Sequence, residues 1–441
     1  MSVAVHIESL DQEGRGVARV DGKVTFVDGA LPGESVEIRT WRRKRSFDLA
    51  GATRILHASS QRVAPPCPHF ERCGGCSLQH LDERAQVAIK QRTLEDNLAR
   101  LGGVRAEEIL PPIHGPAWGY RLRARLAVRH VAGKGALVGF HERRTHHVLE
   151  MESCAVLPAR ISGLIVPLRD LLGAMQLAAR IPQIEVAAGD AADALVLRVL
   201  DPPGEHDLAL LRAFAERHAV DIYLQPAGPD SVYPVQPERL RPLFYRLPDF
   251  DLTLHFQPID FTQVNRAVNE VLVRRAVDLL DPRPGQRLAD LFCGLGNFTL
   301  ALARRGAQVL GVEGSVELVV RAEENARRNA LAQRAQFLAA DLFEAPQRVL
   351  AELGPLDGML VDPPRHGAHG LVQALGEGAP RRLVYVSCNP ATLARDAGVL
   401  VRDNGYRLRA AGVMNMFPHT SHVESVALFE RLGSSPMEKT A

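Results

Sequence analysis

The rhythm of hydrophobic and polar positions changes more than once along this chain, and each change predicts a different architecture. Over residues 1 to about 58, apolar and polar positions alternate in short runs broken by turn residues, the mark of strands whose side chains point to opposite faces. Asp21-Gly22 between two such runs predicts a tight hairpin, and residues 34–56 supply two more strands. A small β-barrel of the oligonucleotide-binding kind fits that rhythm. A proline-rich break, Val63-Ala64-Pro65-Pro66, ends it. Residues 83 to 101 then follow a helical period, with Ala88, Leu94, Leu98 and Leu101 on one stripe and Gly102-Gly103 as the stop.

From about 104 to 258, strand-like runs such as RLRARLAVRHV, ALVGFHE, ALVLRVL and FDLTLHF mix with some helix. That stretch predicts a mixed α+β domain that shapes the substrate, without a catalytic motif of its own. Near residue 266 the helical NRAVNEVLVRRAVDLL opens an alternation of helices with the apolar runs LADLFC, AQVLGVE, AQFLAAD, DGMLVD and RRLVYVS. Buried apolar strands alternating with helices predict an α/β domain with a parallel, doubly wound sheet. The expected division is therefore 1–58, 59–102, 103–258 and 259–441.

At 441 residues the chain is too long for one ordinary core, which agrees with several domains. Its 53 basic and 51 acidic residues nearly cancel, so net charge does not single out a partner. Their placement says more: Arg39, Arg42, Arg43, Lys44 and Arg45 crowd one stretch, and Arg121, Arg123, Arg125 and Arg129 alternate in another. One such run is usually a solvated face; two point toward a polyanionic partner. No apolar run reaches the roughly 18 residues of a membrane span, and the opening residues lack a signal-peptide pattern. A cytoplasmic protein is expected. Such a protein seldom keeps disulfides, so the close trio Cys67, Cys73 and Cys76 suggests a metal site.

Asp290 to Phe298 end a strand and open a helix through Gly294 and Gly296. Glycines there let a ligand approach the backbone, although a lone G-x-G is weak and also fits an ordinary turn. The next strand ends in Glu313, placed to hold a ribose diol about 20 residues beyond the glycines. The third ends in Asp341, which could accept from an adenine amino group. NAD and S-adenosylmethionine share such a pocket. Asp362-Pro363-Pro364-Arg365 after the fourth strand has the shape of a methyltransferase active-site loop and decides for the latter.

The fifth strand runs into Ser387-Cys388-Asn389-Pro390. A lone cysteine is usually a small buried hydrophobe, and Cys293 is read that way. Cys388 lies in a polar turn beside the cofactor carboxylates and is read as a nucleophile. A pyrimidine C5 is too weakly nucleophilic to take a methyl group until a thiolate has added at C6. A base must afterwards remove the C5 proton. Glu424, His419 and His422 are the candidates near the C-terminus, and spacing alone does not choose among them.

With these segments in order and at these spacings, and with Phe261 to Asn265 preceding them, the chain closely resembles the RNA uracil-C5 methyltransferases. The resemblance implies that Gln263, Phe292, Asn297, Glu313, Asp341 and Asp362 line the S-adenosylmethionine pocket, that Cys388 is the nucleophile, and that Glu424 is the base. The first 58 residues resemble a TRAM domain, an RNA-binding barrel. Cys67, Cys73 and Cys76, with Cys154 further on, are similar to the four-iron four-sulfur site of the ribosomal members. Barrel and cysteine cluster together point to 23S ribosomal RNA, at uracil 1939, as substrate of a protein expected to be a monomer. Other readings are C5 methylation of uracil 747, of tRNA or of an RNA cytosine, and an RNA-binding assembly factor without enzymatic activity.

Overall fold

The computed structural model describes residues 3–131, 133–376 and 378–431. Strands Val3–His6, Ser9–Leu10, Gly16–Val20, Lys23–Asp28, Ser35–Arg43 and Phe47–His57 form one six-stranded sheet. Asp21 and Gly22 take φ of 49° and 79°, as a two-residue hairpin turn requires, and Val20 pairs with Lys23 across it. The first strand pairs with Ser35–Arg43, and just beyond it the Glu8 N–H donates to the Val17 carbonyl. The sheet thereby curls around Val5, Ile7, Ala18, Val27, Val36 and Ile38, giving the expected small barrel. Trp41 and the basic residues 42–45 stand exposed at one end of it.

The helix Glu83–Asn97 starts on Asp82, whose carboxylate accepts the Arg84 and Ala85 N–H groups, and passes through one wide turn, Leu98–Gly102, to Gly103 at φ 66°. Its buried face differs from the expected stripe. Ala88 and Leu101 are exposed, whereas Gln86, Val87, Lys90, Leu94 and Asn97 are buried. The helix packs against strand Tyr406–Met414 and helix Pro390–Arg402, where nearby backbone and side-chain groups hydrogen-bond Gln86 and Lys90. A scan for apolar periodicity cannot see a buried face that is polar but satisfied.

The middle of the chain forms a second six-stranded sheet, ordered Tyr233–Pro234, Asp221–Gln225, Asp193–Arg198, Gln183–Ala188, Arg123–Val131, Gly135–Gly139. It shares a core with helices Ile165–Ala174 and Glu205–His218. The run at Leu252–His255 instead pairs with Phe244–Leu247, and Leu252, Leu254 and Phe256 enter the C-terminal core.

That C-terminal sheet has eight strands. Its parallel part runs Ala335–Ala339, Gln308–Glu313, Arg287–Leu291, Gly358–Val361, Arg382–Ser387. Two antiparallel strands that the pattern did not foretell, Glu424–Arg431 and Tyr406–Met414, extend it, and Glu108–Ile109 completes the edge. Ala289, Leu291, Leu360, Val361, Leu383 and Val384 are fully buried, as strands covered on both faces must be. Strand order reverses between Arg287–Leu291 and Gly358–Val361, which opens a crevice at their carboxyl ends. Among the described residues, no helix is long and apolar enough to cross a membrane.

Candidate active site and a cysteine-lined cavity

Strand Arg287–Leu291 reaches helix Thr299–Arg304 through a loop in which Phe292, Gly294 and Gly296 have φ of 66°, 53° and 88°. The two glycines adopt this region without strain; Phe292 does so at a cost. A Cβ on Gly311 of the neighbouring strand would stand 2.9 Å from Cys293 Sγ and 2.7 Å from the Phe337 ring, so glycine there lets the loop lie flat on the sheet. Cys293 is thus a packed, buried side chain, as the sequence suggested. Glu313 accepts the Gly294 and Ser315 N–H groups at 3.0 and 3.1 Å. Asp290 accepts the Thr299 hydroxyl at 2.6 Å, while its other oxygen is buried without a partner. Burial, with Asp362 and Glu313 nearby, pushes Asp290 up to about 7, and burial does the same to Asp362.

The remaining expected cofactor residues surround the same crevice in different ways. The Asn297 amide is occupied by protein: its oxygen accepts from the Tyr245 hydroxyl (2.9 Å) and from Asn269 (3.0 Å), to which its nitrogen also donates. It braces the glycine loop against the middle of the chain. Asp341 is exposed and accepts the Phe343 N–H at 2.7 Å. The Phe343 ring lies 5.3 Å from Phe292 and 4.5 Å from His366, making an aromatic edge to the crevice that the sequence reading missed. Its only sequence signal is an aromatic two residues past Asp341. Gln263 is half-buried in the loop before helix Arg266–Leu280, a loop tied down by the Leu122 N–H to the Val264 carbonyl.

Cys388 sits where strand Arg382–Ser387 turns into helix Pro390–Arg402. Asn389 caps the helix by accepting the Ala391 N–H at 3.0 Å, and the Ser387 hydroxyl accepts the Asn389 N–H at 3.1 Å. Asn389 and Thr392 donate to the Arg365 carbonyl at 3.1 and 3.2 Å, locking this turn to the Asp362–Arg365 loop. Reactive atoms of Cys388, His422 and Glu424 all lie within 4.8 Å of one another. The imidazole Nε2 of His422 is 3.8 Å from Glu424 Oε1.

Glu424 opens the last strand at 8% exposure. Burial and the Asp362 charge push its carboxyl up to about 8, against Arg365 and Lys90. Burial, Glu424 and Asp362 push the Cys388 thiol up to about 11, with Arg365 pulling the other way. Burial and nearby cations bring His422 down to about 4, so it is neutral at pH 7. His419 lies away from this group: it is buried, stacks on Trp118 at 3.7 Å, and gives its N–H to Gln86 at 2.8 Å. Of the three C-terminal candidates, His422 and Glu424 therefore share the surroundings of the thiol, and His419 does not. A cleft of about 200 Å³ over the thiol is lined by Gln12 of the barrel, Thr93, Arg365, Asn389, Ser421 and His422.

Cys67, Cys73 and Cys76, close in sequence, and the distant Cys154 line one cavity of about 310 Å³ together with Phe70, Arg121, Arg125, Phe140 and Met151. All are free thiols. The Gly75 N–H points at Cys73 Sγ from 3.3 Å, and Arg143 donates to the Cys73 and Cys76 carbonyls at 3.0 and 2.6 Å. Burial, reinforced by the neighbouring thiols, pushes Cys76 up to about 12. Next along the chain, the Ser77 and Leu78 N–H groups both donate to the His419 carbonyl at 2.9 Å, so the cavity wall also supports the active-site segment.

Comparison with known proteins finds two matching family models. A TRAM domain model matches residues 2–45, and the tRNA (Uracil-5-)-methyltransferase family model matches residues 82–432. The Nitrosospira multiformis protein named 23S rRNA (uracil(1939)-C(5))-methyltransferase RlmD is 58% identical, covering 98% of this chain and 99% of its own length. A protein of the same name from Aromatoleum aromaticum is 59% identical over 98% and 100%. The crystal structure of Pyrococcus abyssi tRNA (uracil-54, C5)-methyltransferase in complex with S-adenosyl-L-homocysteine superimposes with a TM-score of 0.74 at 25% identity, covering 97% of this chain and 99% of that one. With its glycine loop, strand-end carboxylates and cleft thiol in this arrangement, and with the family model spanning most of its length, the chain belongs to the tRNA (Uracil-5-)-methyltransferase family.

Proposed function

We propose that this chain transfers a methyl group from S-adenosylmethionine to C5 of uracil 1939 in 23S ribosomal RNA, acting as a monomer in the cytoplasm. The observation that carries the reading is the meeting of Cys388 with Glu424 at the edge of a crevice furnished with Glu313, Asp290 and Asp362. The glycine loop and the partnerless Asp290 oxygen fit a polar adenosine-bearing ligand. Gln263, Phe292, Asn297, Glu313, Asp341 and Asp362 are the residues to hold it. When bound, it presents a methyl group on a sulfonium. Relatives of 58% and 59% identity carry the ribosomal name, which outweighs the tRNA name of a relative at 25%.

The chain's own residues divide the work. Cys388 adds as the thiolate through sulfur to C6 of the uracil, and the electron pair released toward C5 takes the methyl group, the pair of the broken methyl–sulfur bond staying with the donor. Arg365 is the group at hand that favours the thiolate. Glu424 then takes the C5 proton, the C5–C6 double bond re-forms, and the C6–S bond breaks with its electrons on sulfur. Glu424 at about 8 suits that task better than His422 at about 4.

Cys67, Cys73, Cys76 and Cys154 are proposed to hold a four-iron four-sulfur cluster. Four thiols converging on one cavity, with an N–H directed at sulfur, suit such a group. Zinc would draw four sulfurs to about 2.3 Å from a single ion. The cavity of about 310 Å³ that the four thiols line has room for the larger group. Trp41 and residues 42–45 offer an aromatic ring amid exposed cations for RNA phosphates. The working division follows the barrel, the cysteine segment, the middle domain and residues 259–441. Mapping 5-methyluridine by mass spectrometry in RNA from a strain lacking the gene tests the substrate. One 23S site should vanish, returning with the wild-type gene and not with Cys388→Ala. Loss confined to tRNA, or no loss, would contradict the reading.

A further inference from the structure

The helix Glu83–Asn97 precedes the doubly wound body by far in sequence, yet its buried side grips the segment that delivers Glu424. Gln86 accepts the His419 N–H at 2.8 Å and donates to the Leu78 and Leu81 carbonyls at 3.1 and 2.8 Å. One turn further, Lys90 is 1% exposed and donates from Nζ to Asn415 Oδ1 and to the Phe417 carbonyl, both at 2.8 Å. Gln91 accepts the Val413 N–H at 3.3 Å. These three residues hold positions 413–419, the start of the connection between the last two antiparallel strands, and Glu424 begins the second of those strands.

An ammonium is a costly means of making that grip, because desolvating it is expensive and both of its hydrogen-bond acceptors are neutral. The charge it meets is that of Glu424, and each favours the ionised form of the other. The other groups facing Glu424 are Asp362, which opposes ionisation, Arg365, which assists it, neutral His422 at 3.8 Å, and the Cys388 thiol. Arg365 is exposed and therefore screened, whereas Lys90 acts from the interior, where a charge reaches further. Burial works against the charge on Lys90, and the Glu424 carboxylate together with its two acceptors works to keep the proton on nitrogen.

We propose that Lys90 is a positioning residue for proton abstraction at C5, fixing the Asn415–Phe417 turn from the interior so that the Glu424 carboxylate is held ready to accept. The proposal rests on Glu424 being the base. Lys90 is buried and does not touch the substrate.

The test compares Lys90→Met, Lys90→Gln and Lys90→Arg with wild type in the full-length protein. Removing the charge raises the pKa of Glu424, so the limb on which kcat rises with pH moves upward, by about one unit. In Met and Gln variants kcat near pH 7 should fall about 10-fold or more, with KM for RNA and methyl donor changed less than about twofold. Methylated RNA–protein adduct should accumulate, and Arg should restore both the limb and the turnover. The Gln variant keeps a hydrogen-bond donor and tests the charge even where Met fails to fold. An unmoved limb and no adduct in a Gln variant of normal Tm would overturn the proposal. Glu424→Gln run alongside keeps the two readings apart: absence of adduct there overturns the base assignment instead.

Discussion

Two places in this molecule gather cysteine sulfur, and their neighbours give them different chemistry. In the cleft, one half-buried thiol meets a carboxylate and a neutral imidazole whose atoms lie within 4.8 Å of it. The cavity is lined by four thiols, two arginines, the Gln79 amide and apolar side chains, and among the described residues no carboxylate or imidazole lines it. Burial pushes Cys388 up to about 11 and Cys76 up to about 12, so thiol acidity does not separate them. A partner that can move a proton does. Cys388 has one, and among the described residues none lines the cavity of the other four cysteines.

Exchanging sulfur for oxygen at each place should break the comparison in opposite ways. Cys388→Ser should lose all measurable turnover while its iron content and Tm stay those of wild type. Cys76→Ser should lose iron and sulfide on anaerobic purification, and its Tm should fall by several degrees, since about 1 kcal/mol moves the midpoint roughly 2–4 °C in a unit of 150–250 residues. Stoichiometric zinc without sulfide in the wild type would remove the cluster. A smaller effect is expected at the barrel. Replacing Arg42, Arg43, Lys44 and Arg45 with Ala should weaken RNA binding and flatten the slope of log affinity against log salt by about 0.7 to 0.9 per lost phosphate contact. An unchanged slope would make them a solvated face.

The parts that were legible in the sequence are those where one chemical demand fixes a residue to a strand end. Glycines at positive φ, Glu313 beside them and Cys388 in its turn each follow from local geometry. Barrel and parallel sheet were legible because burial on one face or two writes a period into the chain. What escaped depends on contacts between distant segments. Lys90 and Gln86 look like the polar side of a helix until residues 413–419 pack over them. Phe343 and His366 become one aromatic edge only after two strands are side by side. Asn297 is offered as a cofactor contact by its position, and only the fold shows that its amide also braces the glycine loop against Tyr245 and Asn269.

The division of labour between sulfur and carboxylate is tested most directly by one denaturing gel with methyl-labelled donor and RNA. Wild type should turn over and show little adduct. Cys388→Ala should show neither adduct nor product, because without sulfur at C6 the C5 carbon stays inert. Glu424→Gln should accumulate a labelled RNA–protein adduct while turnover collapses, because methyl transfer precedes loss of the C5 proton and sulfur cannot leave until that proton is gone. A Glu424→Gln protein that turns over normally without adduct would move the base to another residue, His422 first. A labelled adduct formed by Cys388→Ala would contradict the nucleophile itself.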